Sequence, residues 1–147
     1  MKRFKPRTIR LIGRLHAWLW RLTRGRFVDA VGVAPFLLLT TMGRKTGRLR
    51  TTPVLYLEDG RDLVVVASFG GNDMHPAWYL NLKQYPEAEV VIRGKRRPVT
   101  SREITSEEKK LIWPRLVKSY PQFDIYQQRT SRQIPLMRLT AKIESAN

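Results

Sequence analysis

The chain has no cysteine. That absence excludes a disulfide framework, thiolate catalysis and Cys-ligated zinc or iron–sulfur clusters. Histidine is nearly absent too: His16 and His75 stand far apart, so a His-based metal centre is not expected. Acidic residues are scarce, with 12 Asp and Glu against 28 Lys and Arg, a net charge of +16. Such an imbalance points to an anionic partner: nucleic acid, lipid headgroups or an acidic small molecule. No apolar run approaches the roughly 20 residues of a membrane-spanning helix. No signal peptide is expected either, because Arg14 and Arg21 interrupt the N-terminal apolar residues. A cytoplasmic location follows as the expectation.

What is present suits one globular domain: 147 residues, of which 42 % are hydrophobic. A chain of this length buries about two-thirds of its unfolded surface. Its cations are unevenly spread, since every charged residue from Lys2 to Arg26 is basic and Asp29 is the first acid. The sequence divides into a basic amphipathic segment, 1–30, and a β-rich domain, 31–147. The periodicity predicts a helix over 7–24, with Leu11, Leu15, Trp18, Leu19 and Leu22 on one side. Arg7, Arg10, Arg14, Arg21 and Arg24 gather together on the adjoining flank, and Gly25 ends the run. The apolar stripe either packs on the domain or lies on an anionic membrane with the arginines at headgroup level. The clean arginine face favours the membrane, peripherally on the inner face of the plasma membrane.

Beyond residue 35, strand patterns dominate. Strands are expected at 36–42, 51–57, 62–67, 90–93, 97–104 and 136–143, with hairpin signals at Asp59-Gly60 and Gly94. Helices are expected at 76–84, 106–119 and 121–132, the second opened by Thr105 and Glu108 at capping-box spacing. The fold class is therefore mainly β with peripheral helices: a small six-stranded antiparallel barrel.

Three stretches carry candidate chemistry. The basic turn from Gly43 through Lys45 and Gly47 to Arg50, Thr51, Thr52 and Pro53 combines backbone-exposing glycines with cations and hydroxyls, which suits a phosphate. It is not a Walker A loop, because no Gly-Lys-Ser/Thr closes it. The alternative is a solvated, charged hairpin tip, the usual fate of such runs. The exit Ala67-Ser68-Phe69-Gly70-Gly71 lets a flat ring lie against backbone amides, or is a plain glycine turn. Tyr120, Phe123 and Tyr126, three residues apart, share a helix face and either wall a pocket or form aromatic core. A phenol there can donate a proton to a reduced substrate.

In order, G-R-K-T-G-x-x-R-T-T-P, V-V-A-S-x-G-G, H-P-A-W-Y-x-N-L and Y-P-x-F-x-x-Y-Q-x-R-T-x-R-x-I-P span residues 43–135. This order resembles the deazaflavin-dependent nitroreductase family, oxidoreductases of the split β-barrel, flavin-reductase-like fold that use coenzyme F420. The resemblance implies that Arg44, Lys45 and Arg50 hold the phosphate and acidic tail of F420, with Thr51, Thr52 and Pro53 lining the same groove. It implies a ring seat at Ala67, Ser68, Gly70, Gly71, Ala77 and Trp78. It puts Tyr120, Phe123 and Tyr126 on the substrate side, with Tyr126, Tyr120, Ser68 or water as proton donor. In the nitroimidazole-reducing members that aromatic trio is all tyrosine, and Phe123 cannot donate a hydrogen bond. The implied reaction is hydride transfer from F420H2 to a planar electrophile such as a quinone, enone or nitro compound. The alternatives are the same fold binding FMN, haem or a lipid, and a basic nucleic-acid-binding module. No nucleic-acid motif is present, so no nucleic-acid partner is expected; no metal is expected, and the oligomeric state is open.

Overall fold

The computed structural model describes residues 35–143. The segment 7–24, expected as an amphipathic helix, lies outside the described residues. Six antiparallel strands form the barrel: β1 (Phe36–Met42), β2 (Leu49–Asp59), β3 (Asp62–Val66), β4 (Glu87–Ile92), β5 (Lys95–Glu103) and β6 (Leu136–Ala141). Three helices accompany them among the described residues: α1 (Ala77–Gln84), α2 (Ser106–Ser119) and α3 (Gln122–Gln128). The strands close in the order β1-β2-β3-β6-β5-β4. The expected six-stranded barrel is thus the observed one. The third helix is shorter than expected, ending at Gln128. β2 starts earlier, at Leu49, because Met42 pairs with Leu49 across the basic turn.

Alternation along each strand builds two apolar layers. Leu37 and Leu39 of β1 point inward with Val54, Val65, Val90, Val99, Met137 and Leu139. Trp78, Tyr79 and Leu82 of α1 join that interior cluster, so α1 stoppers the barrel with its apolar face. On the outside, Val64, Val66 and Leu136 pack under Ile112 and Leu116 of α2 and Phe123 of α3. Each such fully buried aliphatic side chain contributes about 1.5–3 kcal/mol relative to exposure. The capping box opens α2: Thr105 Oγ1 accepts from the Glu108 amide, and Glu108 accepts from the Thr105 amide. The Arg93-Gly94 turn joining β4 to β5 has positive φ at both residues, 50° and 80°, the backbone that a two-residue hairpin requires.

One irregularity opens the barrel wall. β3 pairs with β2 only from Tyr56 to Asp59. Beyond Val66 the chain stays with the approach to β6, where the Ala67 amide donates to the Pro135 carbonyl at 2.9 Å. Among the described residues, the half of β2 from Leu49 to Leu55 therefore pairs with β1 alone and has a free edge. Proline cannot donate to a ladder and belongs on such an edge; Pro53 sits on it. The split lies between this edge and residues 67–72.

Candidate active site

One lip of the split is the basic turn. The Gly43 amide donates to the Arg48 carbonyl and the Gly47 amide to the Gly43 carbonyl, both at 2.8 Å. A Cβ at Gly43 would lie 2.9 Å from the Arg48 carbonyl oxygen, so the turn closes this tightly only with glycine. Gly47 supplies the left-handed residue, with φ of 66°. Asn81 of α1 fixes the turn from below. Its Oδ1 accepts from the Arg44 amide at 3.0 Å, and its Nδ2 donates to Thr41 Oγ1 at 3.0 Å. Asn81 is 4 % exposed. It stands in the W-Y-x-N-L stretch, but nothing in the sequence marked it as the anchor of a turn 37 residues away.

Arg44, Lys45, Arg48 and Arg50 make no ion pair within the described residues. Elsewhere carboxylates are matched: Glu108 to Arg102, Asp59 to Arg115 and Arg138, Glu103 to Lys83, Glu87 to Lys142. A turn carrying only unmatched cations fits a polyanion. The strand that follows divides the expected groove residues by alternation. Thr52 pairs with inward-facing Leu39, and Arg50 with buried Thr41. Thr51 and Pro53 lie on the outer face; Thr51 Oγ1 meets Thr40 Oγ1 at 2.8 Å, and Pro53 pairs with Leu38. Thr51, Thr52 and Pro53 therefore do not line one surface.

The other lip is the exit from β3. Ser68 is right-handed (φ −73°, ψ −36°), and Phe69 and Gly70 are left-handed (φ 47° and 64°). Such an alternation turns successive amide N–H groups to one side. A Cβ on Gly70 would meet nothing within 4 Å, whereas one on Gly71 would lie 2.6 Å from the Tyr126 carbonyl oxygen. Gly70 is exposed; Gly71 is buried under α3. The two glycines thus serve different needs, and only Gly70 leaves room for a ligand. Ala77 is exposed at the start of α1, while Trp78 is 7 % exposed and belongs to the interior cluster.

Behind this lip sits Arg132, to which sequence reasoning gave no role. Its guanidinium donates to the carbonyls of Ala67 at 3.1 Å, Ser68 at 2.8 Å and Asn72 at 2.8 Å. Its third nitrogen faces His75 Nδ1 at 3.3 Å. A guanidinium cannot accept, so Nδ1 is the acceptor and the imidazole proton is on Nε2. Burial first, and then the Arg132 charge, holds the His75 pKa below its ordinary value. The His75 ring lies against Tyr79, with centroids 4.8 Å apart, and the Tyr79 hydroxyl donates to Glu103 at 3.0 Å. Burial and that carboxylate push the Tyr79 phenol up to about 12.

The aromatic trio forms a row rather than one wall. Tyr120 caps the end of α2 instead of standing on α3. Its ring meets Phe123 edge-on at 5.8 Å, and Phe123 meets Tyr126 at 6.2 Å. Tyr126 is half-buried against the loop through Gly71, with the Arg129 guanidinium 5.4 Å from its ring centre. Phe123 is buried between the two tyrosines. Tyr120 opens onto a cavity of about 330 Å³ lined also by Pro35, Tyr56, Leu57, Glu58 and Arg93. Burial, then the neighbouring Tyr56, raises the Tyr120 pKa, so its phenol is protonated at neutral pH. No group of acidic, histidine or cysteine side chains among the described residues is arranged to hold a metal ion.

The sequence profile described as F420H(2)-dependent quinone reductase matches residues 12–141. The chain belongs to that family. An F420H(2)-dependent quinone reductase of Mycobacterium tuberculosis is 38 % identical over 133 residues, covering 88 % of this chain and 89 % of its own. Among solved structures, an F420-H2 dependent reductase (FDR-A) superposes with a TM-score of 0.65 at 38 % identity, covering 71 % of this chain and 93 % of its own. A chain described as a domain-swapped dimer gives a TM-score of 0.67 at 34 % identity, covering 85 % of this chain and 96 % of its own. Family membership makes the protein an F420-dependent oxidoreductase and decides the cofactor for F420 over FMN. Its family description names quinones and not nitro compounds.

Proposed function

We propose that F420H2 lies across the split, its acidic tail on Arg44, Lys45 and Arg50 and its ring against Ala67–Gly70, and that a quinone is reduced beside it. The observation that carries this reading is the pairing of lips among the described residues: cations without an ion pair there on one side of a strand edge that is free there, and a loop with open backbone on the other. Bound F420H2 supplies the hydride; the protein binds, orients and excludes water. Asn81 holds the cationic turn at a fixed height over the barrel. Gly70 lets a flat ring reach the backbone of residues 68–70. Tyr126 borders the loop and is the phenol placed to hydrogen-bond and protonate a quinone oxygen, with Ser68 or water as the other donors. Phe123 and Tyr120 continue the apolar row and keep water from the reacting face. A quinone suits this row better than a nitro group, because buried Phe123 offers no hydrogen bond.

The basic segment 7–24 supports a second element of the reading: peripheral contact with an anionic membrane, where a lipid-soluble quinone would be met. No helix among the described residues is long and apolar enough to cross a membrane.

Parallel titration of the purified protein with F420 and FMN, followed by F420H2 oxidation with menadione and with a nitroimidazole, tests the reading. F420 should bind in preference to FMN, and menadione should be reduced faster. Turnover confined to the nitroimidazole would overturn the substrate assignment, and failure to bind F420 would overturn the site.

A further inference from the structure

Resting on that reading of the split, we infer that Arg132 is a positioning residue for hydride transfer: it sets the backbone shape of the ring seat from behind, without touching the ring. A guanidinium presents donors in a rigid fork. Here the fork takes the carbonyls of Ala67, Ser68 and Asn72, which bracket the left-handed residues Phe69 and Gly70. With these oxygens drawn to one side, the loop cannot rotate its peptide planes without leaving a half-buried cation unpaired.

Arg132 is itself held. The Gln127 amide nitrogen donates to the Arg132 carbonyl at 2.8 Å, and Gln127 Oε1 accepts from the Ile134 amide at 3.0 Å. Lys109 donates to the Ile134 carbonyl at 2.6 Å. Thr130 adds a parallel tie from the same segment to Asp73 at 3.0 Å. Segment 127–134 therefore forms a brace between α3, which carries Tyr126, and the loop. Arg132 couples the proton-donor side to the ring side, and near-attack geometry tolerates displacements well under an ångström.

The test uses the full chain carrying Arg132→Gln and Arg132→Lys. In the cofactor-free protein, hydrogen exchange of residues 67–75 should rise in both variants, while β1, β2 and α2 keep their protection. With F420H2 and menadione at saturation, the single-turnover rate should fall at least about tenfold, equal to about 1.4 kcal/mol of barrier. Lysine should not rescue it, because its three donors radiate from one nitrogen, whereas the carbonyls are reached from two separate guanidinium nitrogens, Nε for Asn72 and Nη2 for Ala67 and Ser68. The absorption spectrum of bound F420 should shift, since its ring meets a different backbone. A merely structural arginine would lower the melting temperature and leave the saturated rate of the folded fraction and the spectrum unchanged; that outcome overturns the inference. So does unchanged exchange in 67–75. If the wild type itself fails to bind F420, the reading of the split falls, and the exchange result still decides whether Arg132 braces the loop.

Discussion

Asn81 and Arg44, 37 positions apart, are joined by one hydrogen bond of 3.0 Å from the Arg44 amide to the Asn81 side chain. The Asn81 side-chain Nδ2 in turn donates to Thr41 Oγ1 at 3.0 Å, and Thr41 is 1 % exposed. Asn81→Ala should destabilise the protein by about 1–3 kcal/mol, since a buried hydroxyl and a backbone N–H lose their partner. Urea unfolding measures that loss. F420 affinity should fall as well; stability lost with affinity intact would show the anchor to be irrelevant to the cofactor.

Lys45→Ala combined with Arg50→Ala should weaken F420 at least about tenfold in a direct titration. Both residues are exposed, so the wild-type affinity should drop with added salt and the variant's should drop less. Equal affinity in the folded double variant would clear the turn of any role.

The two glycines of the loop should separate structure from binding. Gly71→Ala puts a Cβ 2.6 Å from the Tyr126 carbonyl, at a φ of 76°. It should lower the melting temperature whether or not cofactor is added. Gly70→Ala enters open space and should cost about 1 kcal/mol for its left-handed backbone, with a larger effect on F420 affinity than on unfolding. The reverse ranking would move the ring seat elsewhere.

Acid should loosen the start of α2. The Arg102 pair, and then the Thr105 amide, bring the Glu108 carboxyl down to about 2 from its usual 4.5. A depressed folded pKa gives stability that is present above the unfolded value and lost as pH falls towards the folded one. Stability should therefore decline between about 4.5 and 2, and Glu108→Gln should flatten that part of the profile. An unchanged acid profile in thermal melts would show the cap to be energetically silent.

Removing the phenols should affect the rate differently. Tyr126→Phe should lower kcat with menadione several-fold while leaving F420 affinity unchanged. Tyr120→Phe keeps the apolar row and should chiefly raise KM. Because burial raises the Tyr120 pKa, neither kcat nor KM should show a Tyr120 ionisation near neutral pH. Steady-state kinetics across pH on both variants reads this directly.

The barrel was legible because its strands alternate cleanly and its turns use glycine: Phe36–Met42 and the start of α2 at Ser106 emerge at their expected ends. The basic turn was legible from its charge. Less legible was which side of β2 each groove residue takes, since that depends on register with β1. Gly70 and Gly71 look alike in sequence; only the packing of α3 distinguishes them. Arg132 and Asn81 were hidden for the same reason. Each acts on backbone groups far along the chain, and no local pattern announces a side chain whose partners are 37 to 65 residues away.

The last strand, β6, is inserted between β3 and β5. Until residues 136–141 have left the ribosome, β3 and β5 have no strand between them, and the first five strands cannot close. On the proposed reading of the split, a nascent chain therefore has no complete cleft to offer F420 until β6 has emerged, and the long-range pairing favours slow closure. F420 will thus find either a finished barrel or nothing, and it should favour completed molecules by mass action without guiding their assembly.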